Sequence, residues 1–267
     1  MIFFRSRPKK IALVLGGGGA RGLAHIGILK VFEREGFKPD LVVGTSMGAM
    51  IGGSFALGQP TSKMEQMATS VVWTDIFDPT IPKLGIIDGG KMEKIISNLY
   101  EGRTFHDTAI PLAVVTTDIE NAEESVYTQG DLVIAVRASC SWPGIFNPVR
   151  YEGRLIVDGG IMNSVPVTIA KKLGADFVIA CDVGFCVTKG VEINNIVRIM
   201  LQSFQIMGQE LNTFQSRDAD ILIEPDLGDI DQAAFDKAGQ IIAIGQKTAE
   251  NMFPAIQKAL DLKKNGG

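Results

Sequence analysis

The 267-residue sequence predicts an α/β fold, a mainly parallel central sheet with helices on both faces. Short runs rich in Val, Ile and Leu are continuously apolar rather than alternating, as strands covered on both faces are. Segments with apolar residues at helical spacing lie between those runs, and such alternation marks a sheet wound by crossover connections. With 46% hydrophobic residues and ordinary glycine and proline usage, the chain can bury one sizeable core, so residues 10–262 are expected to form a single domain.

In chain order, Ile-Ala-Leu-Val-Leu at 11–15 is the first strand, followed by four glycines and a helix over 23–34 with apolar positions at 26, 29 and 32. The second strand is Leu41–Val43, and a small-residue helix over 49–57 follows it. A helix over 91–100 precedes a strand in 110–117. Glu123–Gly130 mixes β-formers with charge and closes on a turn glycine, so it reads as an extra strand or hairpin arm. Next come a helix over 131–139, a strand over 154–157, a helix over 165–173 and a strand within 176–183. A helix over 193–216, a strand over 220–224 and a last helix over 232–262 complete the order.

The ends and one central run need separate reasoning. Residues 263–267, Lys-Lys-Asn-Gly-Gly, read as a disordered tail, and residues 1–9 as a solvated basic one. Ile2–Phe4 is too short for a signal-peptide core; beside Arg5, Arg7, Lys9 and Lys10 it suits a peripheral contact with an anionic membrane surface, the alternative for this tail. Leu41–Ser62 carries no charge and has the length of a membrane span. Gly44, Gly48, Gly52, Gly53 and Gly58, with Thr45, Ser46 and Ser54, make it weakly apolar, so the buried centre of a fold is the better reading.

Composition narrows the function. The net charge is −4, and without a dense Lys/Arg stripe there is no footprint for a phosphate backbone, so no nucleic acid partner is expected. Cys140, Cys181 and Cys186 are odd in number and form no C-x-x-C pair. That argues against a disulfide framework or zinc site and for a reducing cytoplasm. No metal and no cofactor is called for.

Two glycine motifs carry chemistry. Gly44-Thr45-Ser46-Met47-Gly48 matches G-x-S-x-G between a strand and a helix, where small neighbours permit a sharp elbow that lifts the serine oxygen clear of the backbone. Gly16–Gly22 leaves a strand and enters a helix, and its glycines can aim several N–H groups at one phosphate or oxyanion. Gly17, Gly19 and Gly22 also satisfy G-x-G-x-x-G, which raises a dinucleotide fold. The ribose acid that fold requires would end the second strand, where Gly44-Thr45-Ser46 stands instead, and no Gly-Lys-Ser/Thr follows for a Walker loop.

A serine nucleophile needs a base. His25 lies along the first helix and His106 sits before a strand rather than after a late one, so both read as structural residues. Asp88 opens a helix, as an N-cap does. Asp182 ends a strand without a tight turn after it, whereas Asp158 ends an apolar strand and is followed by Gly159 and Gly160. Asp158 is therefore the expected partner if the fold brings its strand end to the edge that holds Ser46.

The glycine loop, the elbow and the late Asp-Gly-Gly, in this order, resemble the patatin-like phospholipase family. Ala-Ser-Cys-Ser-Trp-Pro-Gly-Ile-Phe-Asn-Pro-Val at 138–149 and the run at 158–167 resemble further blocks of that family, and the likeness extends from about Lys10 to Val183. The resemblance implies a three-layer α/β/α domain and a Ser–Asp dyad without histidine that hydrolyses acyl esters of lipids or lysolipids; the cysteines and the basic tail set the expected location as the cytoplasm, with a peripheral contact at the inner face of the membrane as the alternative. It makes Ser46 the nucleophile and Asp158 the base, with Gly17, Gly18 and Gly19 as oxyanion donors. Ala20, Arg21 and Gly22 complete that loop, while Gly44, Gly48, Gly159 and Gly160 shape the elbow and the strand end. Asp158→Asn is then expected to be nearly inactive, and His25→Ala and His106→Ala to keep most activity. Residues 71–87 carry Trp73, Ile76, Phe77, Ile81 and Leu84 among prolines and suit either an apolar flap or a packed loop. A non-catalytic anion- or lipid-binding module is the main rival reading, and a dinucleotide-binding protein a weaker one.

Overall fold

The computed structural model describes residues 10–265 except 71–72, 77, 82–83, 186 and 188–191, with backbone alone at 73, 197 and 262–265. The expected basic tail, and the membrane contact read from it, lie outside the described residues. The regular elements are β1 (Ile11–Leu15), α1 (Ala24–Arg34), β2 (Leu41–Thr45), α2 (Met47–Ala56), α3 (Thr61–Ser70) and α4 (Trp73–Ile76). They continue with β3 (Gly85–Ile87), α5 (Gly90–Tyr100), β4 (Leu112–Asp118), β5 (Glu123–Tyr127), α6 (Leu132–Ser139), β6 (Gly144–Phe146) and β7 (Val149–Tyr151). Then follow β8 (Arg154–Asp158), α7 (Val167–Lys172), β9 (Phe177–Cys181), α8 (Ile196–Gln215), β10 (Ile221–Ile223) and α9 (Ala238–Asn265).

Successive side chains of a strand point to opposite faces, so each apolar strand at the sheet centre builds two cores. Ile11, Leu13 and Leu15 of β1 join Val42, Leu112, Val114 and Ile179 in the larger core, where α1, α2, α5, α6 and α9 pack. Ala12 and Val14 join Val43, Ala113, Val115, Val178 and Ala180 in a smaller core covered by Val167, Ile169 and Ala170 of α7. The smaller residues face the thinner layer.

The main sheet runs β10-β9-β1-β2-β4-β8-β7, with β5 also paired to β4. Its first five strands are parallel, as expected of crossover connections. β5 and β8 run antiparallel to β4, and β7 antiparallel to β8. The parallel expectation therefore holds for one half only: β8 is entered from a tight hairpin, with Glu152 and Gly153 at positive φ, and no helix intervenes to return the chain.

β4 has three partners and two hydrogen-bonding edges. β5 occupies one edge along Val114–Asp118, so β2, paired through Thr45↔Val115, and β8, paired from Thr116↔Asp158, must share the other. The carboxyl ends of β2 and β8 thus meet head-on along β4.

Three short strands and α3 escape the sequence reading, since three residues hold no period and α3 buries only Thr61 and Met64. Within 71–87, α4 and β3 are regular, and β3 pairs with β6 in a separate two-stranded ribbon. α9 begins at Ala238 and runs through Asn265, so Lys263, Lys264 and Asn265 have helical backbone rather than the expected disorder. Lysine is a good helix former and complements a helix carboxyl end, and no glycine interrupts before Gly266. Among the described residues, no helix is long and apolar enough to cross a membrane.

Candidate active site

β2 enters α2 through Ser46, held at φ 55, ψ −126, a backbone state that costs an L-residue about 1–3 kcal/mol and lasts only when its surroundings enforce it. The surroundings are the flanking glycines. A Cβ on Gly44 would lie 2.6 Å from Ala49 Cα and one on Gly48 2.0 Å from the Leu15 carbonyl oxygen, so β1, β2 and α2 approach closer than any side chain permits. Two hydroxyls brace the turn. The Ser46 amide donates to Ser139 Oγ (2.8 Å), which donates to the Val115 carbonyl (2.7 Å), and Thr45 Oγ1 donates to the Asn163 carbonyl (2.9 Å).

Because β2 and β8 meet head-on, Asp158 faces Ser46. Ser46 Oγ donates to Asp158 Oδ2 at 2.7 Å, and the Gly160 amide donates to Oδ1 at 2.7 Å. Asp158 is 3% exposed, and that desolvation raises its pKa to about 6 against the lowering effect of the Ser46 and Gly160 bonds. The carboxylate is at once buried, oriented and more basic than usual. Gly159 packs under it, where a Cβ would come within 2.5 Å of the Val115 carbonyl oxygen.

The glycine loop lies across from the elbow. Gly16 donates its amide to the Cys181 carbonyl (3.0 Å), Gly17 to the Ser164 carbonyl (3.0 Å) and Ala20 to the Gln232 carbonyl (2.7 Å). The Gly17 amide is thus engaged and is not the donor the sequence reading made it. Gly18 and Gly19, with no such bond among the described residues and with Gly19 at φ 57, carry the amides left to meet a ligand, together with Met47 at the first position of α2. Arg21 is buried; its guanidinium donates to the carbonyls of Val183 (2.9 Å), Gly184 (3.1 Å), Gly228 (3.0 Å) and Ile230 (2.9 Å). It clamps the loop from behind. Gly22 fits against Met47, 2.5 Å being the distance a Cβ would leave to Met47 Cγ.

Two apolar cavities open onto Ser46 and Asp158. The larger, about 510 Å³, is lined by Met47, Met50, Met64, Met67, Ile87 and Leu99 among others, and reaches Ile76 and Ile86 of the 71–87 segment. The smaller, about 90 Å³, lies beside Gly17, Gly18, Ser164, Phe185, Phe204 and Leu211, and Trp142 borders both. Methionine side chains adapt to irregular apolar guests.

The remaining candidates are elsewhere or otherwise employed. His25 is buried beneath the glycine loop with Nε2 2.8 Å from the Gly16 carbonyl oxygen; a carbonyl only accepts, so Nε2 carries the proton. Burial lowers its pKa to about 4, and it stays neutral as a prop for the loop. His106 is exposed in a one-turn 3₁₀ segment. Asp88 is exposed and accepts from Asn147 Nδ2 (3.1 Å); the first turn of α5 is capped instead by Asp78, whose oxygens take the amides of Gly89 and Lys91, both at 2.9 Å. The N-cap expected of Asp88 fails because a carboxylate from ten residues earlier already fills the place. Asp182 is held by the Gly184 amide and Asn212 Nδ2, both at 2.8 Å. Ser139, Asn163 and Ser164 are the supporting residues that sequence reasoning missed; all stand inside the runs 138–149 and 158–167, so the signal was present without the role. Among the described residues no His, Cys, Asp and Glu cluster could hold a metal ion.

The family model described as patatin-like phospholipase matches residues 13–171. The chain is 40% identical over 183 residues to human patatin-like phospholipase domain-containing protein 6, covering 65% of this chain and 13% of that protein. It is 34% identical over 182 residues to lysophospholipase NTE1 of Scheffersomyces stipitis, with 65% and 12% covered. The chain thus spans 12–13% of the length of these curated relatives. Among solved structures, VipD from Legionella pneumophila superposes with a TM-score of 0.62 at 15% identity, over 96% of this chain and 67% of that one. The type III effector ExoU does so at 0.51 and 14% identity, over 98% and 54%. At those identities the likeness is one of fold. The family match covers the glycine loop, the elbow, β4 and β8, the segments that place Ser46 against Asp158, and the chain belongs to the patatin-like phospholipase family.

Proposed function

We propose that this chain hydrolyses acyl esters of lipids, as a phospholipase A or lysophospholipase does, through an acyl-enzyme on Ser46. The observation that carries the reading is the 2.7 Å bond from Ser46 Oγ to a buried carboxylate, at the junction of two apolar cavities. Names of relatives that include phospholipase and lysophospholipase support the substrate class.

Asp158 takes the serine proton as Oγ attacks the ester carbonyl. The oxyanion forms within reach of the free amides of Gly18, Gly19 and Met47; one such donor is worth roughly 10²–10³ in rate. Collapse breaks the bond to the alcohol, which leaves with the proton from Asp158. A water molecule then gives its proton to Asp158 and attacks the acyl carbon, releasing fatty acid and restoring Ser46. The larger cavity houses the acyl chain.

Treatment with a fluorophosphonate ester followed by peptide mass mapping tests the nucleophile. The expected result is an adduct on Ser46 that forms far more slowly in Asp158→Asn. Absence of any adduct, with and without micelles, overturns the reading in favour of a non-catalytic lipid-binding module.

A further inference from the structure

α8 turns an apolar stripe to solvent. Its inward side is mixed: beside Leu201 and Phe204, which line the cavities, Gln205 Nε2 donates to Gln232 Oε1 (2.9 Å), Asn212 Nδ2 to Asp182 Oδ1 (2.8 Å) and Gln215 Nε2 to the Met162 carbonyl (2.8 Å). Gly208 lets the helix lie against Phe185, which stacks edge-on to Trp142 with ring centroids 5.9 Å apart. Its outward side is apolar. Ile196, Ile199, Met200, Ile206, Met207 and Phe214 form one stripe at helical spacing and are 42–73% exposed. Arg198 and Glu210 are the only charged residues in its 20.

The stripe is part of a wider apolar rim at the mouths of both cavities. Arg198, Leu201 and Gln205 line the larger cavity, while Phe204, Met207 and Leu211 line the smaller. Met200 Cε lies 3.6 Å from where a Cβ on Gly144 would stand, and Gly144 pairs with Gly85, next to the exposed Leu84; Ile81 is 82% exposed nearby in the chain.

We propose that the outer face of α8, with Leu84 and Ile81, is the surface on which this protein docks to a lipid aggregate, so that substrate passes from the aggregate straight into the cavities. The proposal rests on the reading of Ser46 and Asp158 as a lipid hydrolase only for what is consumed there. A second copy of the chain seated on α8 would cover the mouths of both cavities. A charged partner would find one cation and one anion along the helix. A lipid surface covers the stripe and leaves the mouths supplied. Because apolar burial rather than charge drives the contact, it should form on neutral lipid and depend weakly on salt.

The test is flotation of the full chain with neutral phosphatidylcholine vesicles. The triple variant I199Q/I206Q/F214Q alters three exposed residues that line neither cavity and substitutes a good helix former. Wild type is expected to float, the triple variant to partition about tenfold less or worse, and both to hydrolyse a monomeric short-chain ester equally. Ser46→Ala should float as wild type does while losing hydrolysis, which separates docking from catalysis: a wild type that floats yet hydrolyses no ester, or a Ser46→Ala that still hydrolyses, sinks the hydrolase reading alone. Equal flotation of wild type and triple variant, no flotation of wild type, or a lipid-free dimer that the triple variant lacks overturns docking. Phe214→Trp, which keeps the face apolar, guards against misfolding: brominated lipid must quench it beyond Trp73 and Trp142, and no added quenching also overturns the proposal.

Discussion

Two buried ionisable groups near Ser46 respond to pH in opposite directions. Asp158, raised to about 6, favours the protonated form in the fold, so its contribution to stability is present below the unfolded pKa near 4 and lost as pH rises through 6. His25, lowered to about 4, favours the neutral form; its contribution is present above 6.5 and lost as pH falls through 4. Each amounts to about 3 kcal/mol at 1.4 kcal/mol per pKa unit, and between pH 4 and 6 they nearly cancel. Asp158→Asn should therefore abolish hydrolysis yet raise Tm at pH 7 by a few degrees, for about 1–2 kcal/mol; a lower Tm in calorimetry would contradict the burial cost assigned to it. Since a base must be deprotonated, kcat/KM of wild type should fall below about pH 6, with half its plateau near that value. Replacing His25 should leave that limb in place. The structure revises the expectation for this residue: His25→Ala loses a buried bond to Gly16 and should cost about 2–3 kcal/mol and part of the activity, while His106→Ala costs little of either. His25 was legible as structural from its place on a helix; its contact with Gly16 was not, because a nine-residue separation along a turn says nothing about which carbonyl the ring meets.

Among the elements, the glycine loop depends on segments far away in sequence. Arg21 ties it to carbonyls at 183, 184, 228 and 230, so Arg21→Ala leaves four acceptors without their donor and should cost about 3 kcal/mol in urea unfolding with a parallel loss in kcat. Lysine, lacking the planar fork, should not restore it. Recovery of both stability and kcat in Arg21→Lys would refute the clamp. The strands of the parallel half were readable because each is a continuous apolar run. The antiparallel turn of β8 was not, since its residues look the same whichever way the strand runs; Glu152-Gly153 and the length of β4 beyond β2 decide the direction. The same indifference hid which glycine amides stay free: Gly17 has the Ser164 carbonyl opposite it, whereas Gly18 lies against Val183.

At the scale of the molecule, the larger core and the helices that cover it leave a methionine-lined cavity on one side of the reacting pair. Met50→Trp should fill part of it and lower the ratio of long-chain to short-chain ester turnover several-fold, while fluorophosphonate labelling of Ser46 stays near wild type. An unchanged ratio would place the acyl chain elsewhere. By itself the sequence determined the α/β class, the strand–helix order, the serine elbow and the identity of Asp158 as the carboxylate to pair with it. These are local facts, written in apolar runs, in glycines that only a close approach requires, and in an acid at a strand end. The tertiary structure alone decided that β2 and β8 abut along one edge of β4, that Gly17 is spent on Ser164, that Asp158 is dry enough to become a stronger base, and that α8 turns an apolar stripe outward. Each of these depends on which distant segment comes to lie opposite, and register, burial and exposure are properties of pairs that no single stretch of chain contains.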